Sequence, residues 1–205
     1  MKVLAFNGSV KEKGNTYDAL NEVAEELRKE NIDVEIIHVG NKNIRGCLAC
    51  GGCSKNKNCK CVIDDEVNEW IKKMKEADGI ILGSPVYYAA LNGTMKSFLD
   101  RAFMVAGANG ALFRHKVGTS IAVARRAGTV QTIEQLNNFI SFTEMLMPSS
   151  NYWNVVYGGA PGEGKNDAEG MQTMRILGKN MAWLMKLVDY GKDAIKEPEI
   201  EVKIK

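Results

Sequence analysis

The amino-acid sequence predicts a three-layer α/β domain, a sheet of five parallel strands with helices on both faces. Two patterns carry this expectation. Short, nearly continuous apolar runs alternate along the chain with amphipathic stretches of period 3.6. Strands buried on both faces must be apolar throughout, whereas the helices that cover them need only one apolar stripe. The second observation is size: 205 residues, 45% apolar and 25% charged, suffice for one sizeable core and fall short of the length at which cores usually split. With no repeat, low-complexity block or linker before residue 190, residues 1–190 are expected to be one domain and 191–205 a tail.

The elements follow in order. Lys2–Phe6 is the first strand, and Thr16–Lys29 is a helix with Leu20, Val23, Ala24 and Leu27 on one face. Val34–Val39 is the second strand. The cysteine-rich segment 47–61 interrupts the alternation, and Asp64 and Asp65 then cap a helix through Val67, Trp70, Ile71 and Met74. Gly79–Gly83 is the third strand, stopped by Pro85 in Ser84-Pro85-Val86-Tyr87-Tyr88. Met95–Phe103 is helical, Val117–Val123 the fourth strand, Val130–Leu146 a helix, and Trp153–Tyr157 the short fifth strand. The run 158–164, rich in glycine with one proline, reads as a loop, and the last helix spans Ala168–Val188. The tail from Lys192 alternates charge with Ile195, Ile200, Val202 and Ile204; a solvated tail is expected ahead of an added edge strand.

Charge and hydropathy narrow the function. With 27 basic and 25 acidic residues the net charge is +2, too small a field to draw the protein onto nucleic acid or an anionic membrane. No apolar run approaches the roughly 20 residues that cross a bilayer, and no leader-like segment precedes the first strand, so a cytoplasmic location is expected. All five cysteines lie between Cys47 and Cys61, crowding that points to metal or redox chemistry rather than a disulfide framework.

The first loop, Asn7-Gly8-Ser9-Val10-Lys11-Glu12-Lys13-Gly14-Asn15-Thr16, has the composition of an anion site. Gly8 permits a bend, Ser9, Asn15 and Thr16 add side-chain donors, Lys11 and Gly14 lie in the turn, and the following helix start offers unpaired N–H groups and a positive dipole end. The loop has neither the G-x-x-x-x-G-K-[ST] run of triphosphate sites nor the G-x-G-x-x-G run of dinucleotide sites, so a monophosphate fits better. An ordinary glycine turn capped by Thr16 is the plain alternative. Context favours the ligand: in an open α/β sheet, ligands collect beyond the carboxyl ends of the strands. There Pro85-Val86-Tyr87-Tyr88 can border a flat ring, and Ala124-Arg125-Arg126-Ala127-Gly128 offers backbone donors and positive charge.

At these residues the chain resembles the NAD(P)H-dependent FMN reductase and iron–sulfur flavoprotein group of the flavodoxin-like superfamily. The resemblance runs from residue 1 to about 190 and rests on Gly8-Ser9 with Asn15-Thr16, on Ala77-Asp78-Gly79-Ile80-Ile81-Leu82-Gly83-Ser84-Pro85-Val86-Tyr87, and on Lys96 with Asp100-Arg101. It implies a flavodoxin-like sandwich holding FMN, with phosphate contacts on Ser9, Asn15 and Thr16 and ring contacts on Pro85, Val86, Tyr87 and Tyr88. Lys96, Asp100 and Arg101 are expected to form a helical salt-bridge set of structural role.

Cys47-Leu48-Ala49-Cys50-Gly51-Gly52-Cys53 has two successive two-residue spacings, which can bring three thiolates around one inorganic cluster. Cys59 and Cys61 both offer a fourth. The resemblance implies Cys61, because iron–sulfur flavoproteins follow their fourth cysteine with a stretch like Val62-Ile63-Asp64-Asp65; Cys59 would instead give the five-residue spacing of the best-known members. The spacing favours a [4Fe–4S] cluster over free redox thiols, and both over zinc, whose sites usually come as two separated pairs. His38 and His115 have no metal-ligand spacing and are expected to be structural or exposed. Met171, Met174, Met181 and Met185 form a stripe suited to core or subunit interface, and Tyr152-Trp153-Asn154 is expected to pack beneath the sheet.

The function these features imply is an FMN-dependent oxidoreductase or electron-transfer flavoprotein. It would pass electrons between NAD(P)H or ferredoxin and a small acceptor, as a homodimer or homotetramer. The flavin carries the redox chemistry, so no side chain is singled out as catalytic. A non-catalytic flavin-binding redox sensor is the alternative.

Overall fold

The computed structural model describes residues 1–201. Its strands are β1 (Lys2–Asn7), β2 (Asp33–His38), β3 (Gly79–Tyr87), β4 (Ala90–Leu91), β5 (Val117–Ala124) and β6 (Val155–Tyr157). Its α-helices are α1 (Asn15–Lys29), α2 (Gly52–Asn56), α3 (Glu66–Glu76), α4 (Gly93–Ala108), α5 (Thr129–Phe142) and α6 (Ala168–Gly191). Five strands are parallel in the order β2-β1-β3-β5-β6, with β4 paired antiparallel to the end of β3. This is the expected three-layer sandwich. The order reverses beside β1, which opens a crevice at the carboxyl ends of β1, β3 and β5.

Each face of the sheet has its own core. Leu4, Phe6, Ile80 and Leu82 pack under α3, α4 and α5, with Phe98 against Phe6 and edge-on to Trp70. Val3, Ala5, Ile81 and Ile121 pack under α1 and α6. Alternate residues of one strand thus serve opposite cores, which is why these strands read as continuous apolar runs. All four α6 methionines are buried in the second core, so the stripe is core rather than interface.

Several expectations need correction. β3 does not stop at Pro85 but runs to Tyr87. The carbonyl of Gly83 accepts from Gly8 N–H on the β1 side, where pairing with β1 ends at Gly83. By the alternation of a strand, Pro85 presents its missing N–H to that vacated side while it pairs with Val123 on the other, so no ladder bond is lost. The fifth helix ends at Phe142, not Leu146: Glu144 has a positive φ of 56°, and Leu146 bridges to Val117 at the start of β5.

Arg101 leaves the anticipated salt-bridge set. Lys96 and Asp100 pair at 2.6 Å on the exposed face, whereas Arg101 turns inward and is fully buried. Tyr152 and Trp153 do not pack beneath the sheet; their rings contact each other in the open, and only Asn154 is buried, donating to Thr119 and Ser120. The tail from Lys192 to Glu201 forms no strand, and Ile195 and Ile200 are exposed; Val202 and Ile204 lie outside the described residues.

Candidate functional site

The loop after β1 is built from its own side chains. Asn7, fully buried at the strand end, accepts from Ser9 N–H through Oδ1 (3.0 Å) and donates from Nδ2 to the Glu12 carbonyl (2.9 Å). Ser9 Oγ accepts from Lys11 N–H, and the Nε2–H of His38 donates to the Ser9 carbonyl at 2.7 Å, giving that histidine its structural role. Glycine is required here by space, not by φ. Gly8 has no positive φ; a Cβ there would press on the Gly83 carbonyl and Met95. At Gly40 a Cβ would overlap the backbone of Ser9 and Gly8, so the chain leaving β2 lies directly against the loop. Sequence reading had no signal for Gly40, because the contact joins two strand ends.

Helix α1 begins at Asn15 behind Gly14, and no side chain caps it. Its first-turn N–H groups therefore remain available as anion donors. They face a cavity to which the loop contributes Ser9, Lys11, Gly14, Asn15 and Thr16. β3 contributes Pro85, Val86 and Tyr87, and the end of β5 contributes Ala124 and Arg125. Three segments far apart in sequence thus line one cavity.

Three of the anticipated residues stand outside this cavity. Tyr88 projects entirely into solvent with a positive φ of 50°, and Arg126 is exposed beyond Arg125. Gly128, at φ 87°, caps α5 and lets Val86 and Ala89 approach, a backbone role. In exchange the loop after β6 joins the rim through Gly158, Gly159 and Pro161. Its glycines were visible, but their partner was not: Asn15 Nδ2 donates to the Ala160 carbonyl and Asn15 Oδ1 accepts from Gly164 N–H. Asn15 thus spends its side chain on tying this loop down. Glu163 accepts from Gly159 and Ala160 N–H, both at 2.8 Å. Those bonds, with the charge of Arg125, hold its carboxyl below the ordinary range.

The thiols form a second site. Cys47, Cys50, Cys53 and Cys61 line one largely apolar cavity of about 160 Å³, floored by Arg101, Met104 and Val105 of α4. Cys59 lies outside it: its N–H is held by Asn109 Oδ1 at 2.9 Å, and its sulfur lies 4.0 Å from Lys75 Nζ. All five thiols are free. Among the described residues no three cysteine, histidine or carboxylate groups converge to hold a metal ion. Four thiols line one space, and a polynuclear cluster occupies the volume between its thiolates. The donor set, four sulfurs with no competing carboxylate in the lining, fits such a group.

Long-range side chains order this segment. Asn68 accepts from Cys61 N–H (2.8 Å) and donates to the carbonyls of Cys61 and Ile63. Arg101 donates from Nε to Cys61 Sγ (3.4 Å) and makes a two-pronged pair with Asp65 at 2.6 and 2.7 Å. It also donates to the carbonyls of Ile63 and Arg45. The Arg101 guanidinium holds the Asp65 carboxyl below its usual range. Asp65 caps α3 as expected, accepting from Val67 N–H.

Known proteins of similar sequence and fold identify the family. An iron–sulfur flavoprotein of Methanocaldococcus jannaschii is 38% identical over 195 residues, 92% of this chain and 99% of that protein. An iron–sulfur flavoprotein of Methanosarcina thermophila is 28% identical over 94% of this chain and all of that protein. The structure of a WrbA-like flavodoxin from Agrobacterium tumefaciens superposes with a TM-score of 0.61 over 91% of this chain and 97% of that one, at 17% identity, and so shares the fold. Residues 1–160 match the family described as NADPH-dependent FMN reductase, and the chain, with its flavodoxin-like fold and its crevice at the carboxyl ends of β1, β3 and β5, belongs to that family.

Proposed function

We propose that this flavoprotein is an FMN-dependent oxidoreductase that passes electrons between a reduced donor, NAD(P)H or ferredoxin, and a small acceptor, with a [4Fe–4S] cluster on Cys47, Cys50, Cys53 and Cys61. The observation that carries the flavin reading is the convergence of the uncapped α1 start, Pro85–Tyr87 and Arg125 on one cavity. The shared cavity of four thiols, with Cys59 excluded, supports the cluster and the choice of its fourth ligand. Both relatives described above carry iron–sulfur in their names, and the family is named for its use of NADPH.

In this reading the N–H groups at the start of α1, with Ser9 and Thr16, hold the phosphate. Pro85, Val86 and Tyr87 would border the ring, and Arg125 would supply positive charge to the cavity. When bound, FMN supplies exchange between two-electron and one-electron donors, and a cluster supplies one-electron transfer. A homodimer or homotetramer is the expected assembly.

The test is a visible spectrum of anaerobically purified protein with flavin, iron and sulfide assays and steady-state turnover with NADH, NADPH and reduced ferredoxin. Flavin with about four irons per chain, and turnover with one of these donors, is the expected outcome. Protein that purifies without flavin and fails to bind added FMN would overturn the flavin reading; flavin without iron would remove the cluster alone.

A further inference from the structure

We infer that Arg101 and Asp65 act as a pair to set the reduction potential of the thiol site, with Arg101 the positioning residue for Cys61. The inference rests on the cluster reading above.

Arg101 is a charged side chain with no solvent exposure, and its five donors are aimed in a way helix packing alone would not require. Nε points at Cys61 Sγ, while the two terminal nitrogens grip Asp65 and the carbonyls of Ile63 and Arg45, which flank the thiol segment on both sides. The guanidinium floors the cavity that the four cysteines line. Asp65 is anchored in turn as the cap of α3 and retains partial exposure. The pair is therefore an oriented dipole, its positive end on the thiols and its negative end toward solvent.

Such a device acts on the electron, not on a substrate. In the cluster reading, an electron given up by a reduced carrier would reduce the iron held by the four thiolates, adding one negative charge to the cavity they line, and no proton need follow. Arg101, which cannot deprotonate, stabilises that added charge through its N–H···S bond and its field, and so favours the reduced state. Asp65 opposes the field while holding its source in place. The two residues are thus expected to move the potential in opposite directions, which no purely structural role would do.

The experiment is a dye-mediated redox titration of the full chain, purified anaerobically with its iron and sulfide measured. D65N keeps an α3 cap and one acceptor for Arg101 while removing the opposing charge; it is expected to raise the potential by about tenfold in the reduction equilibrium, which is 59 mV for one electron. R101M is expected to lower it by a similar factor, with R101K in between. Should R101M not fold, D65N and R101K suffice. Iron-loaded D65N and R101K at the parental potential would overturn the inference, as would shifts of the same sign. A parent protein with FMN but neither iron nor sulfide would instead overturn the cluster reading, and this inference with it.

Discussion

The loop after β1 and the thiol segment after β2 lie in the same chain and are organised in opposite ways. The first is self-bracing: Asn7, Ser9 and their near neighbours satisfy one another over two to five residues of sequence, and Gly40 wedges against the result. The thiol segment has little internal support. Ala49, Lys57 and Cys59 take positive φ without being glycine, and the segment is ordered by Asn68, Arg101 and Asn109, which reach it from helices α3 and α4 and just beyond. A preformed local cradle suits a ligand that arrives and is gripped. A segment tied from outside suits a group whose own bonds complete the fold.

This difference can be broken on either side. The largest effect is expected at Arg101: R101M leaves Asp65 without its partner and should cost about 3–5 kcal/mol of stability, read from denaturant or thermal unfolding. Next, G40A forces a methyl into the backbone of Ser9 and Gly8. It should cost about 1–3 kcal/mol and weaken FMN binding at least tenfold in a fluorescence titration, while leaving iron content unchanged. N68A strands the backbone of Cys61 and Ile63, should cost about 1–3 kcal/mol, and should reduce iron content while FMN affinity stays parental. If G40A instead emptied the thiols of iron, or N68A released flavin, the two regions would not be independent.

The smallest effect concerns pH. The Asp65 carboxyl lies below its usual value when folded, so its contribution is fully present above about pH 4 and is lost as pH falls through the lowered folded value. The parent should therefore lose melting temperature below about pH 4 faster than D65N, which has no such proton to take up.

What the sequence revealed follows the same division. Strand and helix order was legible because the central strands are apolar on two faces and each helix on one, and the phosphate loop was legible because the bonds of Asn7 and Ser9 that shape its turn span two to five residues. Asp65 could be read as a cap from its place before Val67. Arg101 could not, since five residues after Lys96 it faces away from the surface pair and its partners are 36 and 40 residues off. Pro85 misled because a proline ends a strand only where both sides are paired, and one side of β3 had already been vacated. Tyr88 and Tyr87 looked equivalent as neighbours, yet β3 ends at Tyr87, which lines the cavity, while Tyr88 opens the turn to β4 with a positive φ of 50° and projects into solvent.

The amide of Asn15 reaches across 145 and 149 residues to Ala160 and Gly164, and this has a consequence for biosynthesis. A nascent chain emerging at roughly 5–20 residues per second displays its phosphate loop early, but the rim that closes over it arrives only after β6 has been made. Until then the start of α1 is an open anion site without its strap. If the proposed flavin site is right, it would be complete only late in synthesis, once Ala160 and Gly164 have been made and Asn15 can hold them.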